Sequence, residues 1–201
     1  MPVPKGTIGE NTRDRILAAA LPLFAAHGFA GTSTRMIAKS ASVNVATLAY
    51  YFEGKQGLYV TVLHHLYEEL LSFVPTQVPS VGPETVTWLA STAWAFCKEH
   101  REHIRLVLRH VLDQGLHDEI VVSDYSEPVL LRLEMILRSF RPDWSSVRTR
   151  LYMFGTMHML VRFAIEDRQQ LSTMLGGPED LDEAVVSFFE DFLQTQLYAK
   201  A

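Results

Sequence analysis

Apolar side chains along this chain recur at intervals of three and four residues over long stretches, and no stretch alternates convincingly enough to suggest a strand. The first such run places Ile16, Leu17, Ala20, Leu21 and Phe24 on one face of a helix that starts after Thr12 as N-cap and stops at Gly28. Pro22 lies inside it and removes a backbone donor, which predicts a kink. Two short helices follow over 34–40 and 45–51, then a longer one from Lys55 through Tyr59, Leu63, Leu66 and Leu70 toward Val74. The run PTQVPSVGP, 75–83, carries three prolines and a glycine and interrupts any helix. Beyond it the pattern predicts helices over 83–100, 102–112 with Gly115 as terminator, and 126–140 after a loop holding Asp118 and Asp124. It also predicts one over 144–167 capped by Asp143. After Gly176, Gly177 and Pro178, Asp180 and Glu183 stand in capping-box spacing at the head of a last helix reaching about Tyr198. Nine helices without a strand make the expected fold all-α.

The stretch 32–57, TSTRMIAKSASVNVATLAYYFEGKQG, is the one whose spacing specifies a task. Apolar or small residues at Ile37, Ala38, Ala41, Val43, Leu48 and Tyr51 lock two short helices into a helix-turn-helix corner. Ala38 lets the second helix cross closely and stand proud of the surface, shaped for a DNA major groove about 12 Å wide. Around that corner the chain resembles the N-terminal domain of the TetR family of bacterial one-component repressors. The residues that carry the resemblance are RILAAALPLFAAHGFAGTST at 15–34, the pair Ile37 and Ala38, the run V..ATL.YYF from Val43 to Phe52, and GK..LY from Gly54 to Tyr59. The resemblance implies a helix-turn-helix domain over 1–54. It further implies a helical ligand-binding and dimerisation domain over 55–201, with the helix at 55–74 as connector.

Composition changes this picture little. Of 201 residues, 48% are hydrophobic and 20% charged, enough for real helical cores and against disorder. No run of 18 or more apolar residues suggests a membrane span, and MPVPKGTIGENT holds one lysine and no apolar segment of the secretory kind. The one cysteine, Cys97, has no internal partner, and a reducing cytoplasm is the expected location. Charge adds more. The net charge of −5 splits unevenly: residues 1–60 hold six Lys or Arg against three acids, a balance of +3, while the other 141 hold twelve against twenty, a balance of −8. Phosphate attraction is local, screened within about 8 Å at physiological salt, so a modestly basic end suffices.

Within the corner, the hydroxyl and first-turn amides at Thr34 suit a phosphate, and Arg35 suits bidentate recognition of a guanine. Asn44 or Val45 enters the groove first; Val45, Ala46 and Thr47 are small enough for close approach to base edges. Tyr50 and Tyr51 project phenols toward the DNA backbone, with core packing as the competing role of Tyr51, and Lys55 supplies a phosphate charge. Two residues depart from the family pattern. Ser42 stands where the turn normally has glycine, which predicts a left-handed residue strained by about 1 kcal/mol. Ala49 stands where a tyrosine is frequent, which removes one phosphate contact.

The 144–167 helix shows two apolar stripes. Val147, Leu151, Phe154, His158, Val161 and Ile165 form one; Met153, Met157, Leu160 and Ala164 form the other. The last helix pairs Leu181, Val185, Phe188 and Phe192 with Phe189, Leu193 and Leu197. Either both helices sit in one core, or one side of each packs on a second copy with two-fold symmetry. The resemblance implies the second arrangement, a homodimer with Leu151, Phe154, Gly155, His158, Val161, Ile165, Phe188, Phe189 and Phe192 at its interface. It also implies a pocket for a small apolar effector, for which Trp94, Phe96, His110, Met135, Phe154, Met157 and His158 are the candidate lining residues. The eight histidines show no converging metal set, so no metal or other cofactor is expected. No phosphate-cradling glycine loop, GxSxG elbow, HExxH or paired carboxylates point to an enzyme. The expected function is a ligand-responsive repressor on a palindromic double-stranded operator, released by its effector. A helical protein-binding adaptor and a metal-sensing regulator are the alternatives.

Overall fold

The computed structural model describes residues 5–78, 80–114 and 127–198. Among these residues the chain forms ten α-helices and no strand: α1 Lys5–Gly31, α2 Thr34–Ser40, α3 Val45–Phe52, α4 Lys55–Phe73, α5 Pro83–Glu99, α6 Arg101–Gln114, α7 Glu127–Phe140, α8 Ser146–Ile165, α9 Arg168–Met174 and α10 Leu181–Tyr198. The expected terminator Gly115 and the loop with Asp118 and Asp124 lie outside the described residues. No described helix is long and apolar enough to cross a membrane.

The helices gather into two compact units, Met1–Leu70 with Glu102–Ser126, and Leu71–Arg101 with Glu127–Ala201. This division differs from a boundary at residue 54, because most of α4 and nearly all of α6 belong with the corner. In the first unit, Ile16, Ala20 and Phe24 of α1 are buried with Ile37, Leu48, Phe52, Leu58, Val62, Leu63 and Leu106. α1 begins at Lys5, ahead of the N-cap expected at Thr12, and runs through Pro22 without a break. Its interruption is at Gly28, φ 70 and ψ 176, a backbone region open to glycine, after which one further turn reaches Gly31. Two residues finish this end. The buried Thr32 hydroxyl donates to the carbonyls of Leu23 (3.0 Å) and Gly28 (2.8 Å), and the Arg109 guanidinium donates to those of Ala25 and Ala26. A cation on the last carbonyls of a helix segment is electrostatically favourable.

In the second unit α10 packs on α5, and α8 on α5 and α7. The Trp94 indole N–H donates to Asp182 (3.0 Å) and the Thr87 hydroxyl to Glu190 (2.6 Å), both joining α5 to α10. Asp143 does not cap α8. Its carboxylate is drawn into a bidentate pair with Arg141, at 2.8 and 2.6 Å, and Ser145 caps the helix by accepting from the Arg148 amide. α8 also ends sooner than expected, at Ile165. Asp167 turns outward to accept from the Gln169 and Gln170 amides, so it caps the extra helix α9 rather than closing α8. At α10 the expected cap is present: Asp180 Oδ1 accepts from the Asp182 and Glu183 amides, at 2.8 and 3.0 Å. Burial pushes the Cys97 thiol up to about 12, which leaves it a small hydrophobe rather than a thiolate.

α8 keeps its two stripes apart. Met153, Leu160 and Ala164 are buried, with Met157 half-buried beside them, while Val147, Leu151, Phe154 and His158 are exposed. On α10, Phe188 is 47% exposed but Phe189 is 2% exposed. Phe189 therefore belongs to the core and leaves the interface set; edge contacts with Phe163 and Phe188 hold it there.

Candidate nucleic-acid interface

Each short helix of the corner opens on a side-chain cap. Ser33 Oγ accepts from the Met36 amide (3.2 Å). Asn44 Oδ1 accepts from the Thr47 amide (2.7 Å) and also from the Thr47 hydroxyl (2.8 Å). Asn44 thus serves α3 as its cap. The turn between the helices is a Schellman closure, in which the Ser42 amide donates to Lys39 and the Val43 amide to Ala38, at 3.2 and 2.9 Å. Ser42 has φ 55, the left-handed conformation expected at this position. The strain is offset from outside the corner, because the Arg15 guanidinium donates to the carbonyls of Ala41 (2.6 Å) and Ser42 (3.2 Å). That brace spans 26 and 27 residues, and no spacing within the corner reveals it.

α3 also ends on a left-handed residue, Glu53 at φ 56, followed by Gly54 at φ 107. The chain then turns into α4 with Gly57 against α3: a Cβ on Gly57 would fall on the Phe52 carbonyl. Glycine is therefore required at this backbone-to-backbone crossing, and the GK..LY step acquires a physical meaning.

The corner divides into two faces. Ile37, Ala38, Ala41, Leu48 and Phe52 are buried, whereas Arg35, Lys39, Asn44, Val45, Ala46, Ala49 and Tyr50 are exposed, Tyr50 to 82%. Thr34, in the first turn of α2, and Thr47 are half-buried. Tyr51 packs against the core, its ring 5.2 Å from that of Tyr50 in an edge contact, so the outward phenol of the pair is Tyr50. Lys55 is the clearest change from the sequence reading. Its ammonium donates to the carbonyls of Phe29 (2.8 Å) and Thr32 (3.0 Å) and lies 4.1 Å from the centre of the Phe29 ring. Two of its three protons are committed at the end of α1, so it is a structural tie rather than an outstretched phosphate contact. Lys39, exposed on α2, is the cation that sequence reasoning left without a role.

The residues expected to line an effector pocket stand in different surroundings. His110 lies in the first unit, its Nδ1 3.2 Å from the Tyr59 hydroxyl. Phe96 is buried between Phe73 and His100, with ring centres 4.5 and 4.2 Å away. Met135, Phe154 and His158 face outward, and Met157 lies with the inward stripe of α8. Trp94 lines a cleft of about 100 Å³ in the second unit.

An all-helical chain whose second and third helices are capped, turned and crossed in this way is a helix-turn-helix protein. Residues 16–62 match the family described as bacterial regulatory proteins, tetR family. Through this domain the chain resembles the tetR family. It is 37% identical over 116 residues to the probable HTH-type transcriptional regulator YttP of Bacillus subtilis, covering 55% of this chain and 56% of that one. It is 31% identical over 110 residues to the HTH-type transcriptional repressor NicS of Pseudomonas putida, covering 54% and 52%. The match thus spans about half the length of these relatives. Among solved structures, GusR of Salmonella enterica shares the fold at a TM-score of 0.68 and 19% identity, over 92% of this chain and 95% of that one.

Proposed function

We propose that this chain is a sequence-specific transcriptional repressor that binds a palindromic operator as a homodimer and releases it on binding a small molecule. The observation that carries the reading is the exposed face of the corner. Arg35 is exposed beside the N-terminal amides of α2, and Val45 and Ala46 stand exposed in the first turn of the capped α3. A guanidinium at Arg35 offers two parallel donors to guanine O6 and N7, worth about 1–3 kcal/mol of discrimination. The first amides of α2, at Thr34 and Arg35, have no intrahelical acceptor and suit a phosphate, and Lys39 and Tyr50 are exposed on the same corner.

The exposed stripe Val147, Leu151, Phe154 and His158 of α8, with Phe188 of α10, supports a second copy as its cover. Gly155 stands within it with open space around its Cα, so a partner's side chain or backbone fits there. Val161, Ile165 and Phe192, half-buried, flank the patch. Two recognition helices in such a dimer would read half-sites about 34 Å apart, one turn of DNA. The second unit receives the small molecule, and α4, whose residues belong to both units, carries the response along the chain.

Fluorescence anisotropy with duplexes from the DNA flanking the chain's own gene tests the reading. Binding should favour one palindrome, fall steeply with salt, and lose tenfold or more of its preference over scrambled DNA in Arg35→Ala. Equal binding to all duplexes would overturn it.

A further inference from the structure

The cleft beside Trp94 has an unbalanced lining. Lys98, Arg101 and Arg168 contribute three cations and Glu166 the one carboxylate, and that carboxylate is already paired with Arg162. Trp94, Phe163 and Leu171 supply an apolar wall. Behind it, Asp182 of α10 accepts from Lys98 Nζ (2.7 Å), Arg168 (2.8 Å) and the Trp94 indole (3.0 Å). These donors are thus already arranged around one carboxylate, and each of the two cations keeps further N–H groups. Arg101 adds a separate signal. Its terminal nitrogen is anchored on the carbonyls of Ile165 (2.9 Å) and Glu166, yet its Nε is a buried donor with no acceptor among the described residues. A buried guanidinium N–H without an acceptor costs free energy that an anion in the cleft would recover.

We infer that this cleft binds a small organic carboxylate: the carboxylate takes Arg101 Nε and the remaining donors of Lys98 and Arg168, and a short apolar body lies against Trp94 and Phe163. The space, about 100 Å³, limits the ligand to a small acid and excludes a drug-sized molecule, which needs about 300 Å³ or more. The inference names the effector class of the proposed regulator. It rests on that reading only for what binding does to DNA, since occupancy of the cleft is measurable without DNA.

The test is isothermal titration of the full chain, at fixed ionic strength, with propionate and benzoate and with the neutral propionamide and benzamide. The expected result is saturable binding of one acid per chain by at least one of the two acids and by neither amide. Lys98→Met and Arg168→Met should each weaken it tenfold or more. Arg101→Lys, which keeps the charge but removes Nε, should weaken it comparably while leaving the thermal unfolding of the free protein within a few degrees of wild type. Asp182→Asn should tighten it, because the competing internal carboxylate is gone. Absence of saturation by both acids in the wild type and in Asp182→Asn, equal binding of an amide, or affinity unchanged in Lys98→Met and Arg168→Met would each overturn the inference. Acid binding that leaves operator affinity unaltered would retain the site and remove its regulatory role.

Discussion

Ser42 occupies a left-handed backbone position that glycine adopts without penalty, and Arg15 compensates by gripping the carbonyls on either side of it. Ser42→Gly should therefore stabilise the corner, by up to about 1 kcal/mol, seen as a higher urea midpoint. Arg15→Ala should lower that midpoint, with a smaller loss in the Ser42→Gly background, because brace and strain share one turn. Gly57 is the opposite case. With the Phe52 carbonyl in the way of any Cβ, Gly57→Ala should cost about 1–3 kcal/mol and several degrees of Tm by calorimetry. Lys55 belongs with these structural residues. Lys55→Met should cost stability without loss of sequence preference, whereas Arg35→Ala should do the reverse, and parallel denaturation and anisotropy titrations separate the two.

Helix boundaries depend on which nearby side chain wins a contest that sequence order does not decide. Asp143 has the composition of a cap, but Arg141 two residues earlier offers a stronger, charge-assisted partner, and Ser145 takes the cap. Asp167 has the same ambiguity, and resolving it creates α9, which lacks the length for a clear periodic pattern. Asp180 keeps its cap, accepting from the Asp182 and Glu183 amides, and was readable. The two stripes of α8 were also readable, since helical spacing alone separates Leu151 from Met153. Long-range contacts were not: nothing in sequence order links Arg15 to residue 41 or Trp94 to Asp182, and aromatics grouped by type rather than by face carry no signal of a shared cavity. The α5–α10 contact carries a pH dependence. Burial raises the Asp182 carboxyl, but hydrogen bonds from Arg168, Lys98 and Trp94 outweigh it and hold the group at about 2, below its ordinary 3.8. A carboxyl depressed in the folded state contributes stability above its unfolded value, and that contribution is lost as pH falls from about 4 toward 2. Urea titrations across that range should show a shallower pH slope for Asp182→Asn than for wild type; equal slopes would refute the assignment.

At the scale of the whole molecule, the two units divide labour by surface. The first presents a polar face with exposed Arg35 and Lys39 on its corner, and the second an exposed apolar stripe on α8. If that partner is a second copy, Leu151→Glu should convert the protein to monomers in sedimentation equilibrium. It should also weaken operator binding by two orders of magnitude or more, since each monomer then holds a single half-site, while helix content by circular dichroism stays unchanged. A variant that remains dimeric would place the interface elsewhere. Val45, Ala46 and Ala49 of α3 are exposed, while the packing of the corner rests on Leu48 and Phe52 and on caps and turns outside those three positions. On the proposed reading, stability and sequence preference are written in separate letters of the same helix. On that reading, after gene duplication one copy would move to a new set of promoters by single-codon steps at those three sites, so that regulatory divergence need not wait for compensating changes in the core.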